Sequence, residues 1–278
     1  MGRLKHSTLA MALLLFGLSA QAQDAVWGDF IAVDFPRLDR ISLDNQDFVF
    51  IANPEGNLYQ YNLSGKLINN FSPPRQGRLS QLEAFWTVNI FTFSADLQEY
   101  RLLDRFINPI SENKIPAENI ALAKAATLGN NNIIWVLDET DLSIKQFDFR
   151  TRRILQQQPL NLVLENTDLE VLDIREYQNL LFLNLSGQGI HILDNQGNFI
   201  KKLQVFPKSR LSFWKGYLCL IEGNTIRLID FQSGSEEQFD LSLGTKAIGI
   251  LINRKAVILY NAQGFNIYQK ENTPLKGY

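Results

Sequence analysis

The chain has 278 residues, 45% of them hydrophobic, enough to supply a large core, and its 27 basic and 29 acidic side chains leave a net charge of −2. That balance provides no basic stripe, so nucleic acid is not expected as a partner. The single cysteine, Cys219, excludes an internal disulfide, which in an exported chain fits a bacterial periplasm better than an animal extracellular space.

Arg3, Lys5 and His6 open the chain with positive charge. An apolar run from Leu9 to Leu18 follows, too short to span a bilayer comfortably, and Ala20-Gln21-Ala22 forms a small-x-small site. This is the pattern of a secretory signal peptide over residues 1–22, leaving 23–278 as a single exported domain. No cysteine stands directly after the cleavage site, where Gln23 begins the expected mature chain, and no other stretch is apolar enough to cross a membrane, so neither a lipid anchor nor membrane insertion is expected.

Beyond that segment, one short block recurs six times: LYQYN at Leu58, LQEYR at Leu97, IKQFD at Ile144, IHILD at Ile190, IRLID at Ile226 and FNIYQ at Phe265. Each is preceded by a second strand-like block: VFIAN, IFTFS, IWVLD, LFLNL, LCLIE and VILYN. A period near forty with several short strands per unit is the signature of a β-propeller. The expected fold is all-β: a six-bladed propeller of four-stranded antiparallel blades, strands A to D running from the axis outward. In the first blade, residues 41–45 form A, the VFIAN block B, the LYQYN block C and residues 66–71 D. Turns between C and D carry Ser64-Gly65, Gln196-Gly197 and Ser233-Gly234, because glycine accepts a positive φ. The nearly continuous apolar B blocks suit strands covered on both faces.

The sixth unit ends in NTPLKGY and lacks a D strand, whereas residues 25–35 have no blade of their own. The N-terminal segment is therefore expected to supply the outer strand of the last blade and close the ring, removing an exposed edge. Seven blades with one degenerate, or an open sheet, are the alternatives. Two connections exceed minimal length, residues 72–80 and 108–119, and both are read as D-to-A links on the face that also carries the B-to-C turns. Long loops on a rigid scaffold are where binding resides.

Candidate chemistry is sparse. His191 is the only histidine after residue 22, and on the repeat it aligns with Tyr59, Gln98, Lys145, Arg227 and Asn266, a polar column. It is read as structural, which disfavours a His-bearing triad and multi-His zinc. Cys219 aligns with Phe50, Phe91, Trp135, Phe182 and Ile258 and is read as a buried filler. The acidic turn at Asp138-Glu139-Thr140-Asp141 does not match a spaced calcium loop. No catalytic residue, metal or cofactor is nominated. The second blade supplies the binding candidates: Arg75 and Arg78 in the first long loop, with Phe85 and Trp86 beyond it, and Arg101, Asp104 and Arg105, read as bracketing the outer strand.

The segment FIANPEGNLYQYNLSGKLINNF, residues 50–71, resembles one blade of the NHL-like type, and the chain as a whole resembles exported bacterial β-propellers. It lacks the Trp-Asp dipeptide of WD repeats, the Gly-Gly pairs of kelch repeats and the S-x-D-x-G-x-T-W box of sialidases. It also resembles small propeller accessory subunits of the type IX secretion machinery at the Gram-negative outer membrane. That resemblance implies envelope proteins as partners and a periplasmic, non-catalytic interaction scaffold. The alternative is a periplasmic hydrolase or lyase acting on a sugar or lactone. It would show three or more carboxylates or amides converging at the axial mouth.

Overall fold

The computed structural model describes residues 27–278 apart from 85–88, 132, 162, 165–169 and 243. The expected signal peptide and the aromatic pair Phe85 and Trp86 lie outside the described residues. Six four-stranded antiparallel sheets follow one another along the chain. After β1 (Phe30–Asp34), the first blade contains β2 (Arg40–Leu43), β3 (Phe48–Ala52), β4 (Leu58–Asn62) and β5 (Leu67–Phe71). The second contains β6 (Gln81–Glu83), β7 (Ile90–Ser94), β8 (Glu99–Leu103) and β9 (Pro109–Lys114). The third contains β10 (Ala123–Leu128), β11 (Ile133–Asp138), β12 (Ser143–Asp148) and β13 (Arg153–Pro159), and the fourth β14 (Val171–Tyr177), β15 (Leu180–Leu185), β16 (Gly189–Leu193) and β17 (Phe199–Leu203). The fifth contains β18 (Ser212–Trp214), β19 (Tyr217–Glu222), β20 (Thr225–Asp230) and β21 (Glu236–Asp240). The sixth contains β22 (Gly249–Ile252), β23 (Ala256–Asn261) and β24 (Gly264–Gln269), and a short 3-10 turn, Lys270–Asn272, comes after it.

The outer strand of the sixth blade is β1, paired antiparallel with β24 from Phe30 opposite Tyr268 to Asp34 opposite Gly264. The N-terminal strand thus closes the ring as the sequence predicts. Val33 and Leu38 pack with Leu43, Ile51, Ile258 and Phe265 across the seam between the last blade and the first. Inner strands touch their neighbours around the axis, β2 with β6, β6 with β10, β10 with β14, β18 with β22 and β22 with β2. The core lies in apolar wedges between adjacent blades. The second strand of five of the six blades is buried along nearly its whole length, because a blade packs on either side of it, and β19 of the fifth is buried only at its centre. The outer strands are the most exposed, and β13 alternates along its length with one face in water.

All three turns foreseen between C and D strands are present, the third with Gly234 at a φ of 80° and Asp230 Oδ1 accepting from the amides of Gln232 and Ser233. An Asx carboxylate or amide opens each: Asn62 Oδ1 accepts from the amides of Ser64 and Lys66 at 3.0 and 2.9 Å, and Asp194 Oδ1 from those of Gln196 and Asn198 at 2.8 Å each. Gly65 and Gly197 adopt φ of 74° and 78°, a conformation other residues enter at a steric cost.

The second blade departs from expectation. Residues 108–119 are not a loop, since Pro109–Lys114 is β9, the outer strand, and only residues 115–119 remain of the expected link to the third blade. Proline disguises the strand, yet it is tolerated there because an edge strand has N–H positions with no ladder partner. The C strand is also three residues later than LQEYR implies. Leu102 pairs opposite Phe91, as Gln60 does opposite Phe50, Ile192 opposite Phe182 and Leu228 opposite Cys219. The equivalent block is therefore YRLLD, Tyr100 to Asp104, with Asp104 accepting from the amides of Phe106 and Asn108 at 2.8 and 2.9 Å as the turn opener.

That correction changes what a whole column of the repeat means. The residue equivalent to His191 in the second blade is Arg101, not Gln98. The column becomes Tyr59, Arg101, Lys145, His191, Arg227 and Asn266, basic in four consecutive blades. Arg101 Nε donates to Glu112 at 2.9 Å, and its Nη2 bonds Glu99. Lys145 Nζ contacts Asp138 at 2.7 Å and Asp141 at 2.8 Å, and Arg227 bridges Glu236 and Glu222. Hydrogen bonds to Asp138 and Asp141 carry Lys145 above its ordinary pKa against the downward push of burial. Asp138, which burial would raise, is held below the usual range by Lys145 and by the amides of Thr140, Leu122 and Ala121. The acidic turn considered for calcium is thus filled by an ammonium group from the same blade. His191 itself is buried in β16, 5.9 Å from the Phe199 ring, and Cys219 is buried in β19 with its thiol pushed up by desolvation.

Candidate functional site

Strand direction gives the disc two distinct faces. The D-to-A links and B-to-C turns share one, and the A-to-B and C-to-D turns share the other. The five candidates from the second blade do not form one site. Arg75 and Arg78 stand in the link between the first two blades, with side chains 52% and 61% exposed. Arg78 makes a forked contact with Asp39, Nε at 3.2 and 3.1 Å and Nη2 at 2.7 Å. Arg75 Nη1 lies 3.8 Å from Glu99. Arg101, read from the sequence as a surface residue bracketing the outer strand, is instead enclosed in β8, 3% exposed, and its Nη2 donates to the Arg75 carbonyl at 3.1 Å. It supports the Arg75 loop from beneath. Asp104 and Arg105 belong to the C-to-D turn on the opposite face, where Arg105 lies 4.7 Å from the Phe106 ring and its carbonyl accepts from Gln60.

The link face carries a second feature that the sequence did not single out. Residues 204–209, the end of β19 and residues 247–248 enclose a groove of about 810 Å³ across the fourth, fifth and sixth blades. Phe206 and Ile248 stand on it 55% and 57% exposed, beside Lys208 and Arg227.

At the axis, the same face opens into a smaller cavity of about 190 Å³, lined by the starts of inner strands from several blades. Arg40, Gln81, Lys124, Asp173 and Arg210 are its polar lining, with Ser80. Asp173 is buried and fully engaged: Arg210 Nη1 donates to it at 2.8 Å, the Leu211 amide at 2.8 Å and Gln81 Nε2 at 3.2 Å. Gln81 also donates to the Ile174 carbonyl at 2.6 Å, so a side chain of the second blade reaches the fourth. Arg40 Nη1 sits 3.0 Å from Asp39 and Lys124 Nζ 2.6 Å from Glu139. Burial, followed by the charge of Arg210, pulls Arg40 down to about 10. Tyr260 packs closely on Gly249, where a Cβ would lie 2.3 Å from the phenol oxygen.

Deeper in the channel, Glu83 accepts from Thr127 Oγ1 at 2.6 Å and from the Leu128 amide at 3.2 Å, with Arg175 Nη1 at 3.5 Å. Desolvation pushes its carboxyl up to about 7 against those three contacts. Thr127 in turn accepts from the Glu176 amide, and Ser42 Oγ from the Ala84 amide, so hydrogen bonds stitch the first four blades around the axis. Among the described residues, no group of three or more His, Cys, Asp and Glu side chains is placed to hold a metal ion. No helix among them is long and apolar enough to cross a membrane.

No protein-family model matches the chain. No curated protein sequence matches it either. Solved structures do: the WD40 domain of Neurospora crassa Pan2 superposes with a TM-score of 0.58 at 15% identity, covering 86% of this chain and 80% of that one. At that identity the likeness concerns the propeller fold alone. In all, 1152 solved chains match, so the fold by itself selects no function.

Proposed function

We propose that this propeller is a non-catalytic protein-interaction scaffold that docks partners on the face carrying the D-to-A links. The groove of about 810 Å³ with exposed Phe206 and Ile248 is the observation that carries this reading. Exposed apolar side chains beside cationic ones, on loops held by a rigid disc, are what a protein interface needs. Arg75 and Arg78 extend the same face toward the second blade. The export pattern of residues 1–22 supports a periplasmic location. The resemblance to type IX accessory propellers supports partners in the outer-membrane secretion complex.

The hydrolase or lyase alternative asks for several carboxylates or amides converging on one point at the mouth. The cavity there is lined by one carboxylate, Asp173, already bonded to Arg210, Gln81 and Leu211, and by three cationic side chains. That lining suits holding an anion better than hydrolysing a glycoside or lactone. The test is affinity capture from detergent-solubilised envelopes with a tagged chain, comparing wild type with Phe206→Ser/Ile248→Ser. Loss of outer-membrane partners from the folded variant supports the scaffold. Equal recovery by both proteins moves the docking site off the groove.

A further inference from the structure

We propose that the axial mouth is a carboxylate-binding pocket, filled by a single Asp or Glu side chain that a docked protein presents. The inference rests on the scaffold reading and gives the partner its chemistry.

Three lines of observation meet in the cavity. The first is charge. Arg40, Lys124 and Arg210 line it against the single carboxylate of Asp173, whose oxygens are already taken by Arg210, Gln81 and the Leu211 amide. Two flanking acids pair with the other cations from outside the lining, Asp39 with Arg40 at 3.0 Å and with Arg78, and Glu139 with Lys124 at 2.6 Å. The second is an unused donor. Arg40 is 14% exposed at its side chain, and its Nε is buried with no hydrogen-bond partner among the described residues. A buried donor left unbonded costs free energy, which a turn of the guanidinium toward an acceptor in the cavity would return. Burial, then the neighbouring Arg210 and Arg78, disfavour the charged form of Arg40, while Asp39 and Asp173 favour it.

The third is size and place. Small-molecule pockets run from about 300 to 1,000 Å³. A cavity of about 190 Å³ is too small for most free ligands and large enough for one acidic side chain. It opens on the same face as the apolar groove, so a partner lying over Phe206 and Ile248 can lower a carboxylate into it. Guanidinium groups suit this task because their planar donors match carboxylate geometry.

The experiment follows Arg Nε–Hε signals of the ¹⁵N-labelled protein by NMR. It titrates N-acetyl-glutamic acid α-amide, which carries one side-chain carboxylate, and the neutral isostere N-acetyl-glutamine amide. Saturable shifts of the Arg40 and Arg210 signals with the acid alone are the expected result. Arg210→Gln or Lys124→Gln should weaken binding about ten-fold, the loss of one charge-assisted contact. Arg254→Gln, exposed on the opposite face, should leave it unchanged. Lys124 is partly exposed, so its variant keeps the test usable if Arg210→Gln fails to fold. Equal shifts from the two probes, no saturation, or full binding by a folded pocket variant would overturn the proposal. Tighter binding of inorganic phosphate than of the glutamate probe would assign the pocket to a free anion and overturn the partner-borne part. Loss of partner capture by the groove variant with intact probe binding would separate the two readings.

Discussion

Glu83 makes the stability of the ring depend on pH in a direction opposite to that of most paired carboxylates. Its carboxyl is buried at the axis and pushed from an ordinary 4.5 up to about 7. Below the lower value it is protonated in both folded and unfolded chains and costs nothing. Between the two values the unfolded chain releases its proton while the folded one keeps it, so stability falls as pH rises, and above the upper value the loss is complete. At 1.36 kcal/mol per pH unit that gap amounts to about 3 kcal/mol. Glu83→Gln copies the protonated group, with an amide oxygen still able to accept from Thr127 and Leu128. The variant should match wild type in urea unfolding at pH 4.5 and exceed it by about 3 kcal/mol at pH 8.5. Taking the difference between the two proteins at each pH cancels the titration of every other group. A difference that stays flat from pH 4.5 to 8.5 would refute the reasoning, as would one that shrinks.

The same contacts set three other outcomes. Lys145→Met leaves the carboxylate of Asp138, 1% exposed, without its cation and should cost about 3 kcal/mol in urea unfolding. Deleting residues 24–35 removes β1 and bares β24, so the shortened chain should aggregate or unfold at lower temperature, checked by light scattering during a thermal scan. Cys219→Ser should lower stability by about 1–3 kcal/mol, and the native thiol should resist alkylation until the chain is unfolded.

The ring was legible in the sequence because B and C strands are long, apolar and bounded by Asx or glycine turns. Of the inner strands only the first was read, at residues 41–45, where β2 lies. β6 and β18 have three residues each, too few to show a period. β9 was hidden by Pro109 and by its polar face, and the same blade misled the alignment because LQEYR and YRLLD overlap and both look like strands. The basic column of Arg101, Lys145, His191 and Arg227 emerged only once pairing with the B strands fixed the register. Arg75 and Arg78 could be placed on an exposed loop from sequence, since proline and glycine surround them. The axial pocket could not, because Arg40, Lys124 and Arg210 come from three different blades and nothing local marks them as neighbours. Phe206 and Ile248 read as ordinary apolar residues in short links, and only the closed ring brings them to one groove.

The central claim is that partners dock on the link face, and site-specific photocrosslinking tests it most directly. A photoreactive residue is placed at Gln76 or Lys208, exposed on that face, and at Arg105 or Arg254, exposed on the other. The four proteins are expressed in the native host cells, illuminated and captured through a tag. Crosslinked partners from positions 76 and 208, with none from 105 and 254, are the predicted result. Crosslinks confined to positions 105 and 254 would contradict the account.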